Sequence, residues 1–152
     1  MELLQFLAKE NLEKFPSEIA NFWRSNKHKI PASPGVYILI AKKRIKFHYP
    51  KGESPIYYIG QTKSLRERIV EQHRKHHSHV RDDCRLKDYL YEARHEYGGV
   101  FGGRYCYIQT WKGKTPKQLE KQIIRAFMKC YHAPPVANGA GAWGWVKTVL
   151  KK

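Results

Sequence analysis

The sequence predicts an α/β fold of the α+β kind, in which three strands form a small sheet that is flanked by helices and preceded by a helical extension. Alternating apolar and aromatic runs predict the strands, and two capping boxes predict where helices begin. A length of 152 residues with 41% hydrophobic residues suits a single core. We place the amino-terminal helical extension at residues 1–30 and the main domain at residues 31–152.

The charge balance is the dominant bulk property of the chain. Its 29 lysines and arginines stand against 13 acids, which gives a formal net charge of +16. Such an excess is tolerated most readily when a polyanion is the partner, so nucleic acid is the first candidate. No apolar run reaches the roughly 18 residues of a membrane-spanning helix, and the amino terminus has no signal-peptide pattern. We therefore expect a cytoplasmic, intracellular protein whose partner is a nucleic acid and not a membrane, and a merely basic surface is the alternative.

The amino-terminal extension has helical spacing. Leu12, Phe15, Ile19 and Phe22 follow one another at three or four residues, which places them on one helical face. Pro16 suggests a break between two short helices. A packing extension is the main interpretation, and a pair of partner-binding helices is the alternative.

Three segments are predicted as strands: residues 36–40, residues 56–59 ending at a turn on Gly60, and residues 104–111. The first two flank residues 41–55, which are predicted to form a hairpin with an extended basic tip. Because loops on a rigid scaffold often carry recognition, we expect DNA contact here, and a solvated loop is the alternative. The candidate residues of this hairpin are Lys42, Lys43, Arg44, Lys46 and Lys51.

The first predicted helix spans residues 64–75. Ser64 is its cap, with Glu67 completing the capping box, and Leu65 and Ile69 mark the inward stripe. Arg68 lies next to that stripe, where a bound phosphate or a carboxylate would suit it. Further candidates for nucleic-acid contact on this helix are Arg66, Arg74 and Lys75.

The last long helix is predicted to begin at a second capping box, formed by Thr115 and Gln118, and to run to about residue 131. Glu120 lies one position from its apolar stripe and is the only acid among many basic residues. Metal binding would explain that acid. Salt bridges to Lys117 or Lys121 are the alternative.

Histidines and cysteines offer a weaker metal signal. The run from His73 to His79, followed by Asp82, Asp83 and Cys84, allows two imidazoles to share an ion, but it matches no closed zinc pattern. A helix end that becomes more cationic as the pH falls is the main interpretation, and a zinc-stabilised adaptor is the alternative. The three cysteines, Cys84, Cys106 and Cys130, are predicted to be free thiols.

Two tripeptides in the first two strands and three later residues form a familiar set: Gly35-Val36-Tyr37, Tyr58-Ile59-Gly60, Lys63, Leu65 and Arg68. This set resembles the signature of the GIY-YIG endonuclease family, in which the residues after the second glycine commonly read x-x-K-x-L-x-x-R. The resemblance covers roughly residues 33–140. It implies a three-stranded antiparallel sheet flanked by helices, and cleavage of DNA phosphodiesters that depends on Mg²⁺ or Mn²⁺.

The resemblance also implies roles for individual residues. Glu120 would be the metal ligand, Arg68 would clamp phosphate oxygens, and Tyr37 would act as general base on the attacking water. A phenol with a pKa of about 10 needs a nearby cation for this role, which Lys63 or the metal could supply. The catalytic set carried over is Tyr37, Tyr58, Lys63, Arg68, His73, Glu120 and Asn138.

One position departs from the family pattern. Members often place a histidine or tyrosine four residues after the arginine, whereas this sequence has Gln72 there and His73 one residue later. A shift of one residue turns a side chain on a helix by about 100°. A nucleic-acid-binding module that has lost cleavage is therefore the alternative function, and the DNA target and the oligomeric state stay open.

Overall fold

An antiparallel sheet organises the part of the chain that the structure describes. The structure is a computed structural model that describes residues 20–21, 30–42, 44–69, 102–110 and 113–138. Its elements are β1 (Ala20–Asn21), β2 (Gly35–Ala41), β3 (Phe47–Tyr49), β4 (Gly52–Ser54), β5 (Ile56–Thr62), β6 (Gly102–Gln109) and α1 (Pro116–Tyr131). The main sheet has the order β1-β6-β2-β5, and β3 and β4 form a separate two-stranded sheet.

The three predicted strands are confirmed as β2, β5 and β6, with β2 in the centre. β2 pairs antiparallel with both neighbours, and every one of its seven residues is buried. Tyr37 of β2 pairs with Gly60 of β5 on one side and with Tyr107 of β6 on the other. The register therefore brings two tyrosines and a glycine into one row across the sheet.

Residues 20 and 21 correct the helical prediction for this part of the amino-terminal extension. They form β1, in which Ala20 pairs with Tyr105 and Asn21 with Arg104 of β6. The outer backbone groups of β6 would otherwise lack partners, and pairing along a sheet edge satisfies them. Residues 1–19 and 22–29 lie outside the described residues, so the rest of the helical extension stays a prediction.

Gly60 corrects the predicted end of the second strand. β5 continues through Thr62, and Gly60 lies inside it opposite Tyr37. A Cβ atom at Gly60 would lie 2.5 Å from the Tyr37 hydroxyl oxygen. The glycine is therefore required for close approach of a tyrosine and not for a turn.

The basic hairpin between β2 and β5 contains the small sheet of β3 and β4. Tyr49 at the end of β3 packs against Phe127 and Tyr131 of α1, with ring centroids 5.1 and 5.6 Å apart. The backbone N–H of Lys51 donates to the carbonyl of Tyr131 at 3.2 Å. These contacts dock the hairpin on the carboxyl end of α1 and leave its basic side chains exposed.

The helix α1 begins as the sequence predicts. The Thr115 hydroxyl accepts from the Gln118 backbone N–H at 3.2 Å, and the Gln118 side chain accepts from the Thr115 backbone N–H at 3.1 Å. Its predicted apolar stripe is buried against β2, β5 and β6, where Phe127 and Met128 join a core that includes Val36 and Ile38. α1 therefore covers one face of the sheet.

Five tyrosines belong to the core cluster on the opposite face of the sheet, which is called the tyrosine face below: Tyr37, Tyr57, Tyr58, Tyr105 and Tyr107. The predicted helix after β5 begins with residues 65–69, whose Leu65 and Ile69 pack into the same core. Among the described helices, none has the length and hydropathy that a membrane span requires. Cys106 and Cys130 are buried and form no disulfide with a described residue, and Cys84 lies outside the described residues.

Candidate functional site

Two tyrosines of the family-like signature lie together on the tyrosine face. The rings of Tyr37 and Tyr58 have centroids 5.8 Å apart and planes inclined by 35°. Tyr37 is buried, with 1% of its surface exposed, and Tyr58 is half-buried. Both rings pass over Gly60, where a Cβ would meet Tyr58 Cε1 at 2.5 Å. The absence of a side chain at this residue sets the position of the Tyr37 hydroxyl.

A further tyrosine joins this group that sequence reasoning treated only as a strand residue. Tyr107 pairs across the sheet with Tyr37, is half-buried, and stacks on Tyr105 at 6.5 Å between centroids. Alternation along β6 was the available signal, since it places residues 105 and 107 on one face. The pairing register was still needed to bring Tyr107 beside Tyr37.

Arg68 enters the site from the helix that follows β5. Two backbone bonds fix the start of that helix, from Leu65 N to Ser33 O at 2.9 Å and from Arg68 N to Ser64 O at 3.0 Å. The Ser64 hydroxyl accepts from Glu67 N at 3.4 Å, in keeping with the predicted cap. The Ser64 N–H donates to Thr62 Oγ1 at 3.1 Å, so Thr62 takes the place that the predicted capping box gave to the Glu67 side chain. Arg68 is half-buried beside the inward stripe, as predicted.

The guanidinium of Arg68 has an unusual environment. Its Nε atom is buried and has no hydrogen-bond partner among the described residues. Leaving such a donor unsatisfied costs about 1–3 kcal/mol, and more when the group is charged. An oxyanion with oxygens in the plane of the guanidinium would supply the missing acceptor. This atom is the clearest sign of a ligand in the described part of the chain.

Glu120 lies at the outer edge of β5. Burial raises the pKa of its carboxyl, while a hydrogen bond from the backbone of Gln61 and the charges of Lys117 and Lys121 oppose that rise. A backbone group that lowers the pKa of a carboxyl must donate to it, so the Gln61 N–H points at Glu120. Because Gln61 follows Gly60 directly, the carboxylate is held one strand residue from the tyrosine pair.

Asn138 has a structural function that sequence reasoning missed. Its side-chain Oδ1 accepts from Ile59 N at 3.1 Å, and its Nδ2 donates to Ile59 O at 2.9 Å. The neighbouring Ala137 N donates to Tyr57 O at 2.8 Å. Four outward backbone groups of β5 are therefore bonded: the Tyr57 carbonyl, both groups of Ile59, and the Gln61 N–H. The catalytic role of Asn138 stays a prediction.

The remaining candidates divide by placement. Lys63 is exposed immediately after β5. Arg66 is half-buried, and its Nε donates to Ile30 O at 2.8 Å, so this atom contributes to packing. Four hairpin candidates are exposed: Lys42, Arg44, Lys46 and Lys51. The others, Lys43, His73, Arg74 and Lys75, lie outside the described residues.

The donor set fits Mg²⁺ or Mn²⁺ better than zinc. Mg²⁺ is commonly bound through one or two carboxylates, with waters and substrate phosphates completing its shell. Glu120 offers one such carboxylate, half-buried at the strand edge. Within the described ranges no group of three or more His, Cys, Asp or Glu residues could hold an ion. The histidine run that motivates the zinc alternative lies outside those ranges.

No family model, curated protein or solved structure matches this sequence. The function must therefore be argued from the residues of the site itself.

Proposed function

We propose that this protein is a divalent-metal-dependent DNA endonuclease that hydrolyses phosphodiester bonds, with a site of the GIY-YIG kind. The observation that carries the proposal is that two side chains, Tyr37 and Glu120, contact adjacent residues of β5. Tyr37 lies against Gly60, and the Glu120 carboxylate accepts from Gln61. Adjacent strand residues are about 3.3 Å apart along the strand, so a phenol and a carboxylate are held close to one point.

Each of the described side chains has its own role in the proposed hydrolysis. Glu120 would hold the metal ion, which would stabilise charge on the scissile phosphate and the leaving oxygen. The buried Nε–H and the other N–H groups of the Arg68 guanidinium donate hydrogen bonds to phosphate oxygens. Tyr37 accepts the proton of the attacking water, and Lys63 provides a cation that favours the phenolate. Restriction and repair chemistry both suit this arrangement.

The proposal is tested by nicking of supercoiled plasmid in Mg²⁺ or Mn²⁺. We expect nicking by the wild type, none in EDTA, and background activity for Glu120→Gln. The matched control is Glu53→Gln, which removes an exposed acid of the hairpin whose carboxylate oxygen lies 3.1 Å from His48 Nδ1. Equal nicking by Glu120→Gln and the wild type would overturn the enzyme assignment.

A catalytically impaired DNA-binding module is the second candidate. The exposed cations of the hairpin favour it, because binding to a polyanion explains the net charge of +16 without any catalytic step. Duplex binding by the wild type without nicking in either metal would select this candidate over the enzyme.

A further inference from the structure

The side of α1 that faces away from the sheet forms a basic groove of about 470 Å³. The described residues that line it are four cations, two glutamines and a small buried residue: Lys114, Lys121, Arg125, Lys129, Gln118, Gln122 and Ala126. None of these residues belongs to the site proposed for cleavage. The groove is called the α1 groove below.

The charges of the α1 groove are not explained by helix stability. Lys121, Arg125 and Lys129 follow one another at four residues, and like charges at that spacing destabilise a helix by about 0.2–0.5 kcal/mol per pair. Glu120 is the only acid in α1, and its carboxylate accepts a hydrogen bond from the backbone of Gln61 at the edge of β5. The side chains of Arg125 and Lys129 are exposed and make no hydrogen bond or ion pair with any described residue.

The α1 groove and the tyrosine face lie on opposite sides of the sheet. The buried residues of α1, such as Ile123 and Phe127, pack on the sheet face formed by Val36 and Ile38. Tyr37 and Leu39 point to the other face. A straight duplex on the tyrosine face therefore cannot also enter the groove.

We propose that the α1 groove is a second binding surface for duplex DNA, which lets one molecule hold two DNA segments at once. This inference rests on the proposed function for the identity of its ligand. Lysine and arginine ammonium and guanidinium groups neutralise phosphates, and the small Ala126 leaves room for a sugar-phosphate backbone to approach. A membrane is disfavoured as the occupant, because surface-bound helices insert an apolar face and that of α1 is buried in the core.

A two-duplex capture experiment tests the second surface. Beads carrying an unlabelled duplex are loaded with protein, washed, and offered a labelled duplex of another sequence in EDTA. The readout is labelled DNA retained per molecule of bead-bound protein. The test variant is Arg125→Gln with Lys129→Gln, since glutamine has a helix propensity close to that of arginine and lysine.

The matched control removes the same number of charges at the last two positions of the sequence, by Lys151→Gln with Lys152→Gln. Both variants lower the formal net charge from +16 to +14. We expect the groove variant to retain roughly tenfold less labelled duplex, in proportion to two lost phosphate contacts. The control variant should retain as much as the wild type, and both should still bind the bead duplex.

Three results would count against the second surface. Equal retention by the groove variant and the wild type would show that bridging arises elsewhere, for example through self-association. Capture of the first duplex without the second would overturn this inference alone and leave the nuclease proposal standing. Failure of the wild type to bind any duplex would overturn both, because DNA would not be the partner.

Discussion

Gly60 controls the position of the most deeply placed group in the candidate site. Tyr37 is almost fully buried, and its hydroxyl occupies the space in which a side chain at residue 60 would stand. The ring of Tyr58, which lies two residues before Gly60 on the same strand, also contacts this glycine. A single missing Cβ therefore lets two phenols share one patch of the sheet.

The first prediction concerns Gly60→Ala. Its Cβ would approach Tyr37 Oη and Tyr58 Cε1 at 2.5 Å each, so both rings must shift. We expect a stability loss of about 1–3 kcal/mol from overpacking, and a loss of nicking at temperatures where the variant is still folded. Urea unfolding measured beside plasmid nicking separates the two effects. Unchanged nicking in the folded variant would contradict the role given to Tyr37.

The second prediction concerns the pH dependence of stability at Glu120. Burial raises the pKa of this carboxyl in the folded protein, so the folded state binds more protons than the unfolded state above the ordinary glutamate pKa of about 4.3. The stability contribution of Glu120 is therefore fully present at low pH and is lost as the pH rises through the folded pKa.

Glu120→Gln should accordingly be more stable than the wild type at pH 7 in EDTA, because its neutral amide oxygen can still accept from Gln61. The advantage should disappear as the pH is lowered to about 4. Urea unfolding at several pH values measures this difference, with Glu53→Gln as the exposed control. A lower stability of Glu120→Gln at pH 7 would show that the charged form is favoured by the fold.

At the scale of elements, the outer edge of β5 is closed without another strand. Asn138 presents an acceptor and a donor to both backbone groups of Ile59, as a neighbouring strand residue would. The Ala137 N–H donates to the carbonyl of Tyr57, two residues before Ile59, and the Glu120 carboxylate accepts from the N–H of Gln61, two residues after Ile59. This arrangement protects an edge that would otherwise be open to pairing with another chain.

The third prediction distinguishes structural from catalytic use of Asn138. Asn138→Asp keeps the oxygen that accepts from Ile59 N but replaces the donor to Ile59 O with an acceptor. We expect a stability loss of about 1–3 kcal/mol, with nicking restored to near wild-type rates at lower temperature. Asn138→Ala serves as the comparison variant. If either variant is stable but fails to nick, Asn138 takes part in the reaction.

Local signals predicted the elements that depend on local chemistry. The capping box and apolar stripe gave both ends of α1, and the half-buried placement of Glu120 and Arg68 followed from the helical period. Three features depend on pairing between distant residues and could not be predicted in that way. They are the short strand β1, the continuation of β5 through Gly60, and the bonding of Asn138 to Ile59.

At the scale of the molecule, the sheet separates two surfaces of different chemistry. The tyrosine face, the helix with Arg68 and Glu120 of α1 carry the candidate site, while the side of α1 that faces away from the sheet carries the α1 groove. The hairpin extends from the carboxyl end of α1 with its lysines exposed. Both basic regions share the net charge of +16, so their contributions to DNA binding must be separated by salt dependence.

The fourth prediction concerns the hairpin. For duplex DNA, the logarithm of affinity falls with the logarithm of salt concentration by about 0.9 for each phosphate contact. Lys46→Gln with Lys51→Gln should therefore reduce the slope by about 1.8 if both exposed lysines contact phosphates. Titration across a salt series measures the slope. A slope equal to that of the wild type would place DNA away from the hairpin tip.

The most direct test of the central claim is the rate of nicking per molecule of DNA-bound protein, in Mg²⁺ or Mn²⁺, for the wild type and Glu120→Gln. The variant should bind duplex at least as well as the wild type, since the substitution removes a negative charge from a basic surface. It should nick at least about 100-fold more slowly, as expected when a main source of transition-state charge stabilisation is lost. Equal rates per bound molecule would contradict the assignment of Glu120, and with it the nuclease site.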